Sequence, residues 1–556
     1  MITNPERHIP RLFRSQIPGR CQLQFINRDG ENHPIEWIDE LTSDAYTLED
    51  KTDPELDDTQ SKEYQISWRF VTNGGQDDST IRPALGKFGI PVYPGSSMKG
   101  AFQRACNREQ IDRYCGRQLA GGDCEPGILR FHGGYPVDDT WQENLLDIIH
   151  PQQDWQLKSS NRGGGAFCQI SLDRPQLRFT ISSNIQLDEA EWETIWQLWE
   201  AALDRGIGSR VSAGYGRVTA QNTSAFYSAY LHGEGAAAKL LNGTGEFRPN
   251  IFKAVVRGHA LRIFGGLTTA DNAELAVEQL FGGINQKNNT VGLLGINFVN
   301  RYEPRIERFG PGNWQVPSYE VAGELRWMLT ADLAEAERKK LLFLIRGLVR
   351  FAMVFGGFGK SWRRADHRIF LPNYNNEGTR DKPLIGCHWE WEQRSLTNNY
   401  AVNDVKQITQ FIERLRTTAS DWLKLRNIPA INTPANWREA WHPRRVQVWA
   451  REAEYDGNSL AIKWFHGDYT KGSSIARSDL TGGFIDRTTK IGRIWHRMYP
   501  LVELEPSTKD TTKNIAKKID GFLEILTIFP DSDIPQCQPF LKFLAERSEF
   551  TKVWGD

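Results

Sequence analysis

Residues 187–217 read LDEAEWETIWQLWEAALDRGIGSRVSAGYGR, and residues 333–368 read LAEAERKKLLFLIRGLVRFAMVFGGFGKSWRRADHR. Each opens on an acidic first turn, which suits the positive end of a helix dipole. Each continues as an amphipathic helix. Trp192, Trp196 and Trp199 recur at helical spacing in the first, and Leu342, Ile345 and Val349 in the second. Stripes of this kind are core positions. Each helix then runs into a Gly-rich, basic loop, and a strand-like run precedes each, QLRFTISSNI and ELRWMLTA. The chain therefore repeats itself, and that repeat decides the fold.

A second pair of helices lies upstream. YPGSSMKGAFQRAC (93–106) opens a helix with Ser96 and Ser97 as expected caps, and FRPNIFKAVVRGHALRIFGG (247–266) has Pro249 near its start. The strand-like runs EYQISWRFV (63–71) and SAFYSAYL (224–231) precede them. Each half thus reads strand, helix, strands, helix, Gly-rich loop, strand. This order predicts an α+β fold of two ferredoxin-like (RRM-like, βαββαβ) modules in tandem with insertions. The expected division is an extension over 1–60, a first module over 61–222 and a second over 223–556. The second carries an insert near 375–470, rich in Trp and Asn, and a long tail that includes KGSSIARSDLTGGFIDRTTKIGRIWHRMYP.

The 556 residues suit two or three domains, and 39% hydrophobic content excludes a disordered chain. No apolar run is long enough to span a bilayer, and the polar N-terminus MITNPERHIPRLFR has no signal core. A soluble, cytoplasmic protein with no membrane partner is expected. The seven Cys are scattered and odd in number, so no disulfide framework is implied. Cys106, Cys115, Cys124 and His132 are close in sequence, but no C-x2-C pair is present, and zinc is not expected. Net charge is −1, yet it is unevenly spread: 39–58 carries nine acids against Lys51, and 338–368 nine Lys or Arg against Asp366. A local basic surface is possible on such a chain.

Three stretches carry candidate chemistry. In PGSSMKG, the helix N-terminus, Ser96, Ser97 and Lys99 form a phosphate seat, with Arg104 further along the helix. Gly95 and Gly100 let a phosphate or another backbone approach. In GIGSRVSAGYGRV (206–218), the amide of Gly208 can line a nucleic-acid backbone, Arg210 and Arg217 add charge, and Tyr215 offers a stacking face. The G-K-[ST] ending of a nucleotide-binding P-loop is absent there. In the second half Lys253, Arg257, Lys360, Arg363 and Arg364 are the matching basic residues. In VTNGGQDDST (71–80), Asp77 and Asp78 precede the phosphate seat, where a carboxylate can hold a divalent metal or orient a ribose 2′-OH. The plain alternative for that stretch is a turn. The matching loop of the second half, 232–247, has no Asp.

PGSSMKGAFQR resembles the helix motif of the RAMP superfamily (repeat-associated mysterious proteins) of CRISPR–Cas systems, and GIGSRVSAGYGRV resembles its Gly-rich loop. GIPVYPGSSMKG, GILRFHGGYP and DIIHPQ are similar to backbone and capping subunits of type III complexes. LFGGINQKNNTVGLLGINF with its preceding helix is similar to another such subunit with a diverged motif. The resemblance covers the two cores, about half the chain. It implies a fused double backbone subunit that binds crRNA and target RNA. Its implied partners are other type III effector subunits, including the large polymerase/nuclease-type subunit. It also implies that a loop Asp, here Asp78 with Asp77 as near equal, cuts target RNA with Mg2+ or Mn2+ held by Asp78. The family pattern follows that Asp with Asn-Pro, whereas this chain has DDST. Two other readings stand beside this one: a non-catalytic RNA-binding subunit, and a metal-independent repeat-processing endoribonuclease that relies on His.

Overall fold

Both acidic turns start helices where the spacing predicts them. The computed structural model describes residues 42, 58–77, 80–86, 89–119, 122–149, 157–158, 167–219, 225–240, 243–284, 289–309, 316–359, 387–431, 433–455, 457–485, 488–506 and 514–556. The chain forms two units of mixed helix and strand, an α+β architecture. One holds 1–151, 164–224 and 240–243, and the other holds 152–163, 225–239 and 244–556.

In the first unit, β1 (Thr59–Gln65) is followed by a short hairpin of β2 (Gly75–Asp77) and β3 (Thr80–Arg82), then by α1 (Gly95–Gln103). Next come β4 (Leu129–Pro136), β5 (Leu146–Ile149), β6 (Phe167–Ile170), β7 (Gln176–Ser183) and α2 (Glu189–Asp204). The main sheet has the order β4-β7-β1, all antiparallel. A single antiparallel bridge joins Ile66, just after β1, to Val218. Asp188 caps α2 by accepting the Glu191 N–H at 2.8 Å. Trp192, Ile195, Trp196, Trp199 and Leu203 then point into the core against Phe179, Ile181 and Phe102. β2, β3, β6 and β5 make a separate four-stranded sheet in that order.

The second unit repeats the plan. β8 (Tyr227–Ala236), α3 (Asn250–Gly265), α4 (Ala270–Phe281), β9 (Leu294–Asn300), β10 (Val316–Leu329), α5 (Glu335–Phe351) and β11 (Cys387–Trp391) build a sheet of order β9-β10-β8-β11. Residues 387–391, expected within an insert, are thus the closing strand of this sheet. Trp389 and Trp391 alternate inward on it, as a half-buried strand requires.

The tail holds a third copy that the sequence pattern does not announce. After α6 (Val405–Leu425) come β12 (Gln447–Ala453), α7 (Leu460–His466), β13 (Ile494–Pro506), β14 (Asn514–Ile528), α8 (Cys537–Arg547) and β15 (Thr551–Trp554). Their sheet order is β13-β14-β12-β15. Counted from the first strand of each, these two sheets of the second unit run second, third, first, fourth, and the three-stranded sheet of the first unit runs second, third, first. The second and third copies share one core, in which Trp441 packs on Phe351, Trp495 and Trp554. Leu157 and Lys158 also belong to this unit: Leu157 is buried in that core and Lys158 pairs with Glu274 at 2.5 Å. Among the described residues, no helix is long and apolar enough to cross a membrane.

Glu524 of β14 ties the third copy together. Its buried carboxylate accepts bonds from Arg451 Nε (2.7 Å), the Ser459 hydroxyl (2.6 Å) and the Ala461 N–H (2.9 Å), and His496 Nε2 lies 3.1 Å away. Burial pushes its carboxyl up. The hydrogen bond and charge of His496, with the bonds from Ser459 and Ala461, outweigh this and hold it at about 2. Because the folded value lies below the unfolded one, the stabilisation is fully present above the usual carboxylate range. It is lost as pH falls from there through about 2. It amounts to roughly 3 kcal/mol by the linkage relation. Acid unfolding followed by tryptophan fluorescence should therefore be displaced in Glu524→Gln. Superimposable acid titrations of the two proteins would refute the assignment.

Candidate nucleic-acid interface

The first unit brings two of the sequence motifs together. The chain enters α1 through Pro94, whose extended conformation (φ −61°, ψ 142°) makes it the N-cap residue, with no side-chain cap. Ser96 and Ser97 were expected as caps. They lie one step further in, exposed on the first turn. The entry is held backbone to backbone: Tyr93 and Gly134 exchange N–H···O bonds of 2.8 and 2.9 Å. A Cβ at Gly95 would sit 2.0 Å from the Phe131 carbonyl oxygen, so this glycine serves strand docking. Gly100 differs, since a Cβ there would meet nothing within 4 Å. The helix face around Ser96, Ser97 and Gly100 is therefore open.

The Gly-rich loop docks beside this helix. The Tyr93 hydroxyl donates to the Ser97 carbonyl at 3.1 Å, and its ring lies edge-on to Phe70, 6.0 Å between centroids. Burial pushes the Tyr93 phenol up to about 12, against the opposing Arg104 charge. Arg205 Nη1 donates to the Arg104 carbonyl at 2.7 Å, which joins the far ends of α1 and α2. Gly208 is exposed at φ 80°, and a Cβ there would lie 2.3 Å from the Val71 oxygen. Only glycine lets the loop lie so close to the end of the first strand. Ser96, Ser97, Arg104 and Gly208 are each exposed.

Other expected residues stand elsewhere. Tyr215 was read as a stacking face, but its ring is fully buried, 4.5 Å from Trp68, and its hydroxyl donates to Asp147 Oδ2 at 2.5 Å. It cannot stack on a base. Arg217 is 3% exposed and donates to the Asp204 and Val211 carbonyls, at 3.0 and 3.5 Å. It braces the loop against the end of α2, and burial pulls its guanidinium down to about 10. Arg210 is half-buried in the left-handed conformation (φ 58°), and Lys99 is half-buried with its charge acting on the Cys115 thiol. Burial pushes Cys115 up to about 11 and Cys106 to about 12, so both remain thiols at neutral pH. Among the described residues no group of three His, Cys, Asp or Glu is placed to hold a metal.

Of the basic residues expected to act in the second unit, Lys253 and Arg257 are described. α3 is buried nearly all round, and Lys253 is only 9% exposed while Arg257 is half-buried. Lys253 is therefore no phosphate-facing side chain on an open helix. Arg346 and Arg350, in the positive run of α5, both donate to the Asn398 carbonyl, Arg350 at 2.6 Å. Lys360, Arg363 and Arg364 lie outside the described residues.

The candidate cutting loop is a two-stranded hairpin, in which Asp77 pairs with Thr80 across the turn. Asp78 lies outside the described residues. The same small sheet carries Asp147, fully buried on β5 and opposite Gln169. Nothing in the stretch DIIHPQ marked Asp147 in the sequence, because its partners Tyr215 and Gln169 are 68 and 22 residues away.

No family model matches the sequence, and no curated protein does. Solved structures do match. One is a chain of the Type III-B Cmr-beta bound to cognate target RNA, at 16% identity and TM-score 0.23, covering 29% of this chain and 57% of that one. Another is a chain of a Type IV-B CRISPR complex, at 17% identity and TM-score 0.21, covering 30% of this chain and 92% of that one. This chain thus spans little more than half the length of the Cmr-beta chain it matches.

Proposed function

We propose that this chain is a guide (crRNA)-binding backbone subunit of a CRISPR type III effector complex, built from successive ferredoxin-like modules of the RAMP kind. The observation that carries the reading is the Arg205–Arg104 bond, which ties α1 to the end of α2 that leads into the Gly-rich loop, with Ser96, Ser97, Arg104 and Gly208 each exposed. A helix N-terminus with hydroxyls, an unencumbered glycine and an exposed loop glycine is suited to a phosphodiester backbone. The strand order shared by two sheets of the second unit, and by the first unit's sheet over its three strands, supports a modular chain laid along RNA. The sequence motifs supply the specific assignment to a guide-bearing complex. In the same reading, Asp77 and Asp78 cut bound target RNA, and a Mg2+ or Mn2+ ion held there would activate the attacking oxygen.

Co-purification tests the binding half of this proposal. The complex recovered with this chain should carry RNA of uniform length. The Ser96→Glu/Arg104→Glu variant puts negative charge on the proposed surface without touching the core. It should bind RNA more weakly, with a salt slope lower by about 0.7 for each phosphate no longer neutralised. Unchanged RNA content and unchanged salt dependence would defeat the proposal.

A further inference from the structure

The second unit holds a cavity of about 540 Å³. Four arginines line it, Arg438, Arg444, Arg445 and Arg493, together with Thr433, and the rest of the lining is proline. Its walls come from the segment leading into β12 and from the start of β13. The Phe529 N–H donates to the Arg493 carbonyl at 2.9 Å and fixes that corner. Four guanidiniums around one cavity repel each other, so such a cluster needs anions.

The carboxylates at the cavity wall are already shared out. Glu439 gives Oε1 to Arg438 at 2.9 Å, but its Oε2 is taken by the buried Arg262, at 2.8 Å from Nε. Asp531 pairs with Arg493. Those two carboxylates are thus divided among Arg262, Arg438 and Arg493. Arg445 donates to the neutral Asn436 carbonyl oxygen, at 3.1 Å, and Arg444 is exposed. The side chain of Arg438 is 8% exposed, and its Nε–H, buried at the cavity wall, has no hydrogen-bond partner among the described residues. An orphaned guanidinium donor in such a place is costly unless a ligand oxygen meets it. Nearby His442 feels this field too: burial first, then Arg416, Arg444 and Arg445, hold it low against the opposing charge of Asp556.

The lining also selects among anions. It has no aromatic side chain to stack on a base or ring, so it recognises charge and oxygen rather than a planar group. Arginine forks match the paired oxygens of a phosphate. The volume is that of a small-ligand pocket. We propose that this pocket binds a phosphate group through Arg438, Arg444, Arg445 and Arg493. The group comes either from an RNA end or from a free oligophosphate. This assignment does not depend on the RNA surface of the first unit.

The test uses the full chain with two probes, inorganic triphosphate and a 12-nucleotide RNA with or without a 5′-phosphate. The variant is Arg444→Gln/Arg445→Gln, which spares the buried Arg438–Glu439–Arg262 set. Its melting temperature without ligand should match the parent protein, which shows that the fold is kept. Affinity for the phosphate probe should fall by about 10-fold or more for each of the two charge-assisted contacts removed, about 100-fold or more for the pair. Triphosphate binding that the variant loses identifies a free oligophosphate as the source. A 5′-phosphate preference on RNA that the variant loses identifies an RNA end. Equal affinities of parent and variant for both probes, or no measurable binding of either by the parent, would overturn the proposal. Ser96→Glu/Arg104→Glu should leave triphosphate binding unchanged, so the pocket and the RNA surface fail or stand separately.

Discussion

Replacing Glu439 by alanine is expected to destabilise the second unit by about 3–5 kcal/mol, the usual cost of removing one partner from a buried ion pair. Glu439 and Arg262 are both fully buried, and Arg438 is nearly so. Arg262 also lies over the Trp495 ring, 5.0 Å from its centroid. Without Glu439 two guanidiniums would remain in the interior with no carboxylate between them, and neither can shed its proton. Glu439→Gln keeps the oxygen but not the charge and should lose less. Arg262→Met/Glu439→Met removes both charges and should recover much of the loss, since apolar replacement of a whole buried pair is often neutral. Urea unfolding followed by tryptophan fluorescence reads this directly, because Trp441 and Trp495 pack on each other in the same core. A loss below about 1 kcal/mol in Glu439→Ala would mean that water reaches the pair.

The second large effect concerns cleavage. Asp77→Ala/Asp78→Ala, in the assembled complex with guide and target RNA, should reduce one target-cleavage product by about 10²–10⁴-fold, the range for removal of a positioned acid–base group. RNA binding should be unchanged, because the phosphate contacts of the proposal come from Ser96, Ser97, Arg104 and Gly208. Removing divalent metal should have the same effect on the parent complex. If every product persists in the double variant, the chain is a structural RNA-binding subunit and the two aspartates form a turn. If the isolated chain instead cuts repeat RNA in EDTA, the metal-independent reading replaces it. Asp77 stands on an edge strand beside its hairpin turn, where a substitution does not disturb the main sheet.

How far the sequence carried these expectations depends on the range of the interactions involved. The tryptophan stripe of α2 and the aliphatic stripe of α5 are written in steps of three and four residues, and both helices lie where those steps place them. The glycines of 206–216 announce a loop with left-handed turns, and Gly206, Gly208, Gly214 and Gly216 all have positive φ. The third copy escaped because its cues are weak. α7 has only seven residues, α8 has no acidic first turn, and no Gly-rich loop follows α8. Tyr215 and Arg217 show the opposite failure: a polar residue in a Gly-rich loop reads as exposed, yet both turn inward to Asp147 and to the end of α2.

By itself the sequence determined the helices, the loop and the repeat of one plan, since periodicity and turn chemistry act over a few residues. Only the tertiary structure decided which of the marked side chains meet solvent, that CHWEW closes a sheet, and that a third copy exists. It alone made the arginine pocket, because Arg438, Arg444 and Arg445 meet Arg493 and Pro530 only in the fold, and nothing local in the chain records that they meet.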